Sequence, residues 1–181
     1  IAGAVKVEML PTVVDISNYT YNSKKDFIPS SFRIGWLGSP STSRHIKVTA
    51  QALKSFCQRK DVLFVAIGAR QEDLDKIPGR LIAWNKETEI EELACFDVGI
   101  MPLPDTPWER GKCGFKLIQY MAACLPVIAS PVGVNSEIVE HGVNGFLAKD
   151  TEDWVKYLQI LKGNPHLRRK MGIAGRKKVE K

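Results

Sequence analysis

The sequence predicts an α/β protein built around a doubly wound, parallel sheet. Short runs rich in β-branched residues alternate with longer segments whose apolar residues recur at helical spacing, which is the pattern of parallel strands joined by crossover helices. A length of 181 residues suits one domain with one core. Apolar residues make up 44% and charged residues 25%, as in a soluble globular protein, and no apolar run approaches the roughly 20 residues that cross a bilayer.

Six short runs are predicted as strands, at residues 33–37, 62–67, 80–83, 97–101, 126–129 and 145–148. Helices are predicted at residues 44–57, 87–94, 115–124, 151–162 and 165–181. Residues 1–30 break this alternation, so we expect a linker segment with one strand there and a Rossmann-like domain over residues 31–181. Ligands of such sheets bind beyond the carboxyl ends of the strands. The site is therefore expected in the loops after Leu37, Ile67, Ala83 and Met101.

The formal charge of +6 favours an anionic partner, which could be a nucleotide diphosphate, an acidic lipid headgroup or a nucleic acid. The last predicted helix is strongly basic, with Arg168, Arg169, Lys170, Arg176, Lys177 and Lys178. Such a helix can touch an anionic membrane, although a run of charge also forms an ordinary solvated face. Nucleic acid is the weakest reading, because stacking aromatic residues do not alternate with these basic residues.

The four cysteines are expected to be free thiols in a reducing compartment, because none forms a Cys-x-x-Cys pair. Cys57, Cys95 and Cys124 have apolar sequence neighbours and are predicted to be buried. Cys113 lies in the candidate site, but no general base flanks it. The three histidines do not cluster in the sequence, and no metal site is predicted.

The most informative stretch runs from Gly111 to Gly133, where a glycine-bearing loop leads directly into a predicted helix. The free backbone N–H groups around Gly114, Phe115 and Lys116 favour an anion, most often a phosphate. Lys112 and Lys116 add positive charge at the same place. Lys116 and Gln119 share one helical face and can reach a single ligand, unless both simply face solvent.

This stretch resembles the donor-site signature of the large retaining glycosyltransferase family that includes bacterial lipopolysaccharide and sucrose-synthase-like enzymes, the glycosyl transferases group 1 type. That family shows a Glu, seven residues and a second Glu, followed by Ala-Met-Ala-x-Gly-x-Pro-Val-Ile-Ala. Residues 119–129 read QYMAACLPVIA in register, and residues 11–15, 34–39, 96–102, 133–148 and 172–176 resemble other family segments in the expected order. The resemblance implies the carboxy-terminal half of a two-domain GT-B fold.

Two positions depart from the family signature. The first Glu, which in the family contacts the transferred sugar, falls on Gly111, and the second falls on Gln119. In the family the second Glu holds the ribose hydroxyls of the nucleotide, and an amide can still accept hydrogen bonds there. Glycine cannot replace the first Glu. Glu109, two residues earlier, is the carboxylate closest in sequence that could take its place.

The resemblance also assigns roles near the first strand. The basic residue that binds phosphate in the family corresponds to Arg44, six positions after Gly38. The family has a second basic residue directly after this glycine, and here Ser39 takes its place. Ser39, like Thr42, can donate only neutral hydrogen bonds. Trp84 follows the third strand, where a nucleotide base could stack on its indole, although a core or rim tryptophan would look the same.

The resemblance implies transfer of a hexose from a nucleotide diphosphate sugar, with retention of configuration. Arg44, Lys116 and the backbone amides from Gly114 to Leu117 would bind the diphosphate and stabilise it as it leaves, without a metal or other cofactor. An amino-terminal domain outside this chain would hold the acceptor, so the chain alone should be inactive. The expected setting is cell-envelope polysaccharide synthesis in the cytoplasm, with peripheral contact to the inner membrane face as an open alternative. The alternatives are a nucleotide-sugar epimerase and a non-catalytic nucleotide-sugar-binding module.

Overall fold

The computed structural model describes residues 12–19, 31–74 and 76–181 of the chain. Six parallel strands form one sheet in the order β3-β2-β1-β4-β5-β6. The strands are β1 (Phe32–Leu37), β2 (Val62–Ile67), β3 (Gly79–Ile82), β4 (Val98–Met101), β5 (Val127–Ala129) and β6 (Gly145–Leu147). This order confirms the predicted doubly wound, Rossmann-like sheet.

Helices cover both faces of the sheet. They are α1 (Ala50–Phe56), α2 (Glu89–Ala94), α3 (Pro107–Arg110), α4 (Phe115–Ala122), α5 (Asn135–Ile138), α6 (Thr151–Gly163) and α7 (Pro165–Val179). Within the described residues, 3-10 helices add to them at Ile16–Asn18, Ser43–Thr49 and Gln71–Leu74. The strands are mostly apolar because helices bury them on both sides.

The core has two parts, one on each face of the sheet. On one face, Trp36 and Phe64 pack with Trp154 of α6, and on the other Leu117 and Tyr120 of α4 pack with neighbours from the strands. All five side chains are at least 99% buried. Burying a large apolar side chain stabilises a fold by roughly 1.5–3 kcal/mol, so Leu117 and Tyr120 hold α4 firmly against the sheet.

The chain reverses its winding between β1 and β4, which makes this the point where a crevice opens. The two strands pair only at Ile34 with Val98 and at Gly35 with Gly99. Beyond that point the hydroxyl of the fully buried Tyr120 accepts a hydrogen bond from the backbone N–H of Leu37 at 2.8 Å, and lies 3.4 Å from the Ile100 carbonyl. Tyr120 therefore joins the separating strands and forms the floor of the crevice.

The helix predicted at residues 44–57 is divided in the structure. Residues Ser43–Thr49 form a 3-10 helix, and only Ala50–Phe56 are α-helical. The short helices α3 and α5 were not predicted, because four residues are too few to show a helical period.

The cysteine predictions were partly wrong. Cys57 is buried, Cys124 is half-buried, and Cys95 is exposed at the end of α2. Burial raises the pKa of the Cys57 thiol to about 11, so this thiol stays protonated at neutral pH. Cys124 follows α4 with a φ of 57°, in the left-handed region that a side chain rarely adopts.

The predicted linker lies partly outside the described residues, which omit 1–11 and 20–30. Residues 12–19 contain the first 3-10 helix, and Tyr19 is buried against the α4 side of the sheet. The guanidinium of Arg176 on α7 donates to the carbonyl oxygens of Tyr19 and Ala122. This part of the segment therefore packs against the domain.

Half of the basic residues of α7 have structural roles. Arg168 pairs with Asp97 at 3.2 Å, Arg176 binds the carbonyls described above, and Lys178 binds the Glu137 carbonyl and the Glu140 carboxylate. The exposed cations that remain are Arg169, Lys170 and Lys177. Among the described residues, no helix combines the length and apolar character that spanning a membrane requires.

Candidate functional site

A cavity of about 510 Å³ opens at the crevice between β1 and β4. Nine of the eleven residues predicted for the site line it: Gly38, Ser39, Thr42, Trp84, Lys112, Gly114, Phe115, Lys116 and Gln119. The other lining residues are Leu37, Pro40, His45, Glu89, Met101, Leu103 and Cys113. The volume is in the range of ligand pockets.

The amino terminus of α4 forms one end of the cavity. Gly114 precedes the helix with a φ of 72°, and a Cβ atom there would lie 2.3 Å from the Ile138 side chain. Glycine is therefore required on both conformational and steric grounds. Because Gly114 has no side chain to cap the helix, the positive end of α4 is open toward an anion.

Lys116 brings a largely buried ammonium group to the same end. Its Nζ atom lies 4.4 Å from the centre of the Trp36 ring and 3.2 Å from the Thr42 hydroxyl. Burial, with a smaller contribution from the nearby Lys112, lowers the pKa of Lys116 to about 8. The amine is thus close to its titration point, and an anionic ligand would hold the proton on it.

Gly38 leaves room for this lysine. A Cβ atom at Gly38 would lie 2.6 Å from the Lys116 Nζ and from the Trp36 ring. The hydroxyls of Ser39 and Thr42 lie 3.4 Å apart beside it, and Thr42 donates to the Ser39 carbonyl. The loop after β1 therefore offers neutral hydroxyl groups next to a cation.

Cys113 and Lys112 complete this end of the cavity. The Cys113 thiol is exposed, and a hydrogen bond from Thr12, together with backbone N–H groups and Lys112, lowers its pKa. The Lys112 ammonium lies 6.0 Å from the centre of the exposed Trp108 ring. Lys112 is thus a second cation at the mouth of the cavity.

The cavity lining also contains an aromatic ring and a carboxylate. Trp84 is 53% exposed, and its indole N–H donates to the Glu89 carboxylate. The amide nitrogen of Gln119 donates to Oε1 of Glu89 at 2.7 Å and lies 3.4 Å from the Tyr19 hydroxyl. Glu89 was not predicted as a site residue. Its distance of 30 residues from Gln119 left no pattern that linked them.

Arg44 does not line the cavity. Its side chain is 64% exposed and lies 3.7 Å from the carboxylate of Glu109. The next residue, His45, is the one that reaches the cavity wall. The structure thus places Arg44 at the rim rather than against the predicted diphosphate position.

His45 and Glu109 form a buried pair. Their side chains are 4% and 5% exposed, and His45 Nε2 lies 3.0 Å from Glu109 Oε1. Burial lowers the pKa of His45, with Glu109 opposing the shift, so the ring is neutral at pH 7 and donates its Nε2 proton. Hydrogen bonds from Thr106 and then His45 lower the pKa of Glu109 and keep it ionised.

The prediction for Leu117 was wrong. Its side chain is fully buried in the core, and its backbone N–H donates to the Gly114 carbonyl at 2.9 Å. This amide is therefore not available to a ligand. The amides of Phe115 and Lys116 are the ones that begin the helix at the cavity.

Among the described residues, no three histidine, cysteine, aspartate or glutamate side chains lie close enough together to hold a metal ion.

A family model described as glycosyl transferases group 1 matches residues 31–163. The chain belongs to the glycosyl transferases group 1 family. This match covers the whole sheet and every residue that lines the cavity. No protein with a curated sequence matches the chain significantly.

Several solved structures share the fold. HepE of Anabaena, crystallised with UDP and glucose, has a TM-score of 0.74 at 15% identity over 93% of this chain and 50% of HepE. The carboxy-terminal domain of LpcC, a group 1 glycosyl transferase of Francisella tularensis, has a TM-score of 0.64 at 20% identity over 92% of this chain and 96% of that domain. Sucrose-phosphate synthase of Thermosynechococcus elongatus has a TM-score of 0.72 at 18% identity, over 98% of this chain and 48% of the synthase. The chain thus spans about half of HepE and of the synthase.

The structure shows what occupies the two positions at which this chain departs from the signature of the group 1 family. Gly111 ends α3 and has no side chain to offer, while Glu109 is held by Thr106, His45 and Arg44 outside the cavity lining. Glu109 therefore does not take the place of the first glutamate in this structure. At the second position, Gln119 does line the cavity and bonds directly to Glu89.

Proposed function

We propose that this chain is the donor-binding half of a glycosyltransferase and that its cavity holds a nucleotide diphosphate sugar. The observation that carries the proposal is the unequal distribution of charge in the cavity. Lys112, Lys116 and the start of α4 form a positive group, while Trp84 is hydrogen-bonded to Glu89, and Glu89 to Gln119, one helical turn further along α4. A nucleoside diphosphate has the matching shape, with an anionic end and an aromatic end.

In this arrangement Lys116 and the amides of Phe115 and Lys116 bind the diphosphate. When the bond between sugar and phosphate breaks, negative charge grows on the phosphate oxygen that leaves. Fixed N–H groups and a partly desolvated ammonium stabilise that charge without rearranging, and contacts that strengthen in the transition state increase the rate. The same residues therefore act in binding and in catalysis, and no metal or other cofactor takes part.

The nucleoside lies at the other end, with its base near Trp84. The HepE structures contain UDP or UDP-glucose, which makes UDP the first ligand to test. GDP and ADP are the natural comparisons, because an indole stacks on any base.

The finer parts of the proposal concern the whole enzyme. Transfer proceeds with retention of configuration to an acceptor held by an amino-terminal domain, so the chain alone binds donor but does not transfer sugar. The enzyme works in the cytoplasm in cell-envelope polysaccharide synthesis. The exposed residues Arg169, Lys170 and Lys177 would supply a weak contact to an anionic membrane face.

Isothermal titration calorimetry with UDP, GDP, ADP and inorganic pyrophosphate tests the site, each with magnesium and with EDTA. We expect one of the nucleotides to bind with a stoichiometry of one and with equal affinity in both buffers. Lys116→Met should weaken nucleoside diphosphate binding and leave nucleoside binding unchanged. Lys47→Met is the matched control, because Lys47 is a neighbouring cation that pairs with Asp73 away from the cavity lining. Binding that requires magnesium, or equal losses in both lysine variants, would refute the site.

A further inference from the structure

We propose that Glu89 is the residue that recognises the ribose hydroxyls of the donor, and that Gln119 acts by positioning the Glu89 carboxylate. This inference rests on the proposed function, because it assigns a role at the nucleoside end of the same cavity. It differs from the reading of the sequence, in which Gln119 itself held the ribose.

The carboxylate of Glu89 is fixed at both oxygens. Gln119 donates to Oε1 at 2.7 Å and Trp84 donates to Oε2. A carboxylate has about four sites that accept hydrogen bonds, so two have no partner within the part of the chain that the structure describes. Two neighbouring hydroxyl groups are a good match for two free acceptor sites on one rigid group.

The location of Glu89 supports the same role. Of the sixteen residues that line the cavity, Glu89 is the only one with a carboxylate. It is hydrogen-bonded to Trp84, the ring on which a base could stack. Because a carboxylate repels a phosphate and attracts a neutral hydroxyl donor, Glu89 also fixes which way round the nucleotide enters.

The hydrogen bonds of Gln119 define its part. Its amide nitrogen faces the Glu89 carboxylate and the Tyr19 hydroxyl, so its donors are used inside the protein. An ionised glutamate at this position could not donate to Glu89. Two carboxylates at 2.7 Å could not both be ionised, and one would take up a proton.

A simpler explanation for Glu89 is that it stabilises the start of α2, since acidic residues favour the first turn of a helix. Glu91 lies in that same turn, is exposed, and does not line the cavity. It is therefore the matched control, because it shares the helix effect and lacks the contacts to Trp84 and Gln119.

The test compares ribonucleotides with their 2′-deoxy counterparts. The nucleoside diphosphate from the UDP, GDP and ADP panel that binds most tightly is titrated into the chain, followed by its 2′-deoxy form and by pyrophosphate. We expect the wild-type chain to prefer the ribonucleotide by about tenfold, the effect of losing a hydrogen bond to a charged group. Glu89→Gln should remove most of this preference and leave affinity for pyrophosphate within about twofold, whereas Glu91→Gln should change neither.

The exchange of the two side chains tests the positioning role of Gln119. Gln119→Glu alone should reduce the ribose preference at pH 8, because two carboxylates then face each other, and should regain part of it at pH 6. The double variant Glu89→Gln with Gln119→Glu restores one amide beside one carboxylate, so its ribose preference should exceed that of either single variant. A double variant no better than the single variants would overturn the positioning role.

Two failures can be told apart. If the chain binds pyrophosphate but no nucleoside diphosphate, the proposed function is refuted and the role of Glu89 with it. If a ribonucleotide binds well and Glu89→Gln keeps the ribose preference, only the role of Glu89 is overturned.

Discussion

The buried ammonium of Lys116 makes diphosphate binding depend on pH in a range where an ordinary lysine would not. Its pKa is about 8, against 10.5 for an exposed lysine. About nine tenths of the amines carry a proton at pH 7 and about one tenth at pH 9, so affinity should fall about ninefold over this interval. This loss corresponds to about 1.3 kcal/mol.

The assay is calorimetric titration of the preferred nucleoside diphosphate between pH 6.5 and pH 9.5. Lys116→Met should lose about 1.5–3 kcal/mol of binding free energy at pH 7 and should not show the step near pH 8. Comparing the two proteins at each pH cancels any titration of the ligand itself. Lys112→Met, which removes a neighbouring positive charge, should move the step to higher pH.

Stability of the unliganded chain should change in the opposite direction. The folded state holds fewer protons on Lys116 than the unfolded state between about pH 8 and pH 10.5, so the free energy of unfolding rises with pH across this interval. The gain, measured by urea denaturation against Lys116→Met, should reach at most about 3 kcal/mol. If affinity stays constant to pH 9 and stability shows no difference between the proteins, Lys116 is an ordinary solvated lysine and the reasoning fails.

Three further substitutions test the scaffold of the site. Tyr120→Phe leaves the buried Leu37 N–H without its partner and should cost about 1–3 kcal/mol in urea denaturation; a loss below about 0.5 kcal/mol would contradict the bridging role. Gly38→Ala should displace the Lys116 ammonium and lower diphosphate affinity about tenfold in calorimetry, and unchanged affinity would show that the lysine can move aside. The melting temperature should also fall, because the added Cβ meets the buried ring of Trp36. Cys124→Gly should raise the free energy of unfolding by about 1 kcal/mol, because glycine adopts a φ of 57° without strain; a decrease would mean that packing of the thiol matters more.

The sheet could be predicted because each strand is short, apolar and bounded by polar turns. Three of its five crossovers contain α-helices of six residues or more, which are α1, α2 and α4. The division of residues 44–57 into a 3-10 helix and an α-helix could not be predicted, since apolar residues at spacings of three and four fit both. The φ of Cys124 follows from how α4 ends, which composition does not reveal.

That Lys112, Gly114 and Lys116 line the same cavity could be predicted, because they are close in the sequence. Lys112, Gly114 and Lys116 lie within one loop and one helical turn, so their proximity is local. Arg44 and Leu117 were assigned by counting positions, and counting does not give the direction of a side chain or the partner of an amide. In the structure Arg44 turns toward Glu109, and the Leu117 amide bonds to Gly114.

The nucleoside end shows why single positions of a signature can mislead. Gln119 in place of glutamate suggests that a negative charge has been lost, but the fold brings the carboxylate of Glu89 to 2.7 Å from its amide. One carboxylate therefore remains at this end of the cavity, and the amide holds it in place. The binding of ribose depends on which hydrogen-bond acceptors and charges surround it, and not on which helix carries them. In the proposed site Glu89 supplies the acceptor oxygens and Gln119 holds them in position. In the proposed site the unit that recognises the nucleoside is thus a contact between α2 and α4, and it has to be tested by changing both residues together.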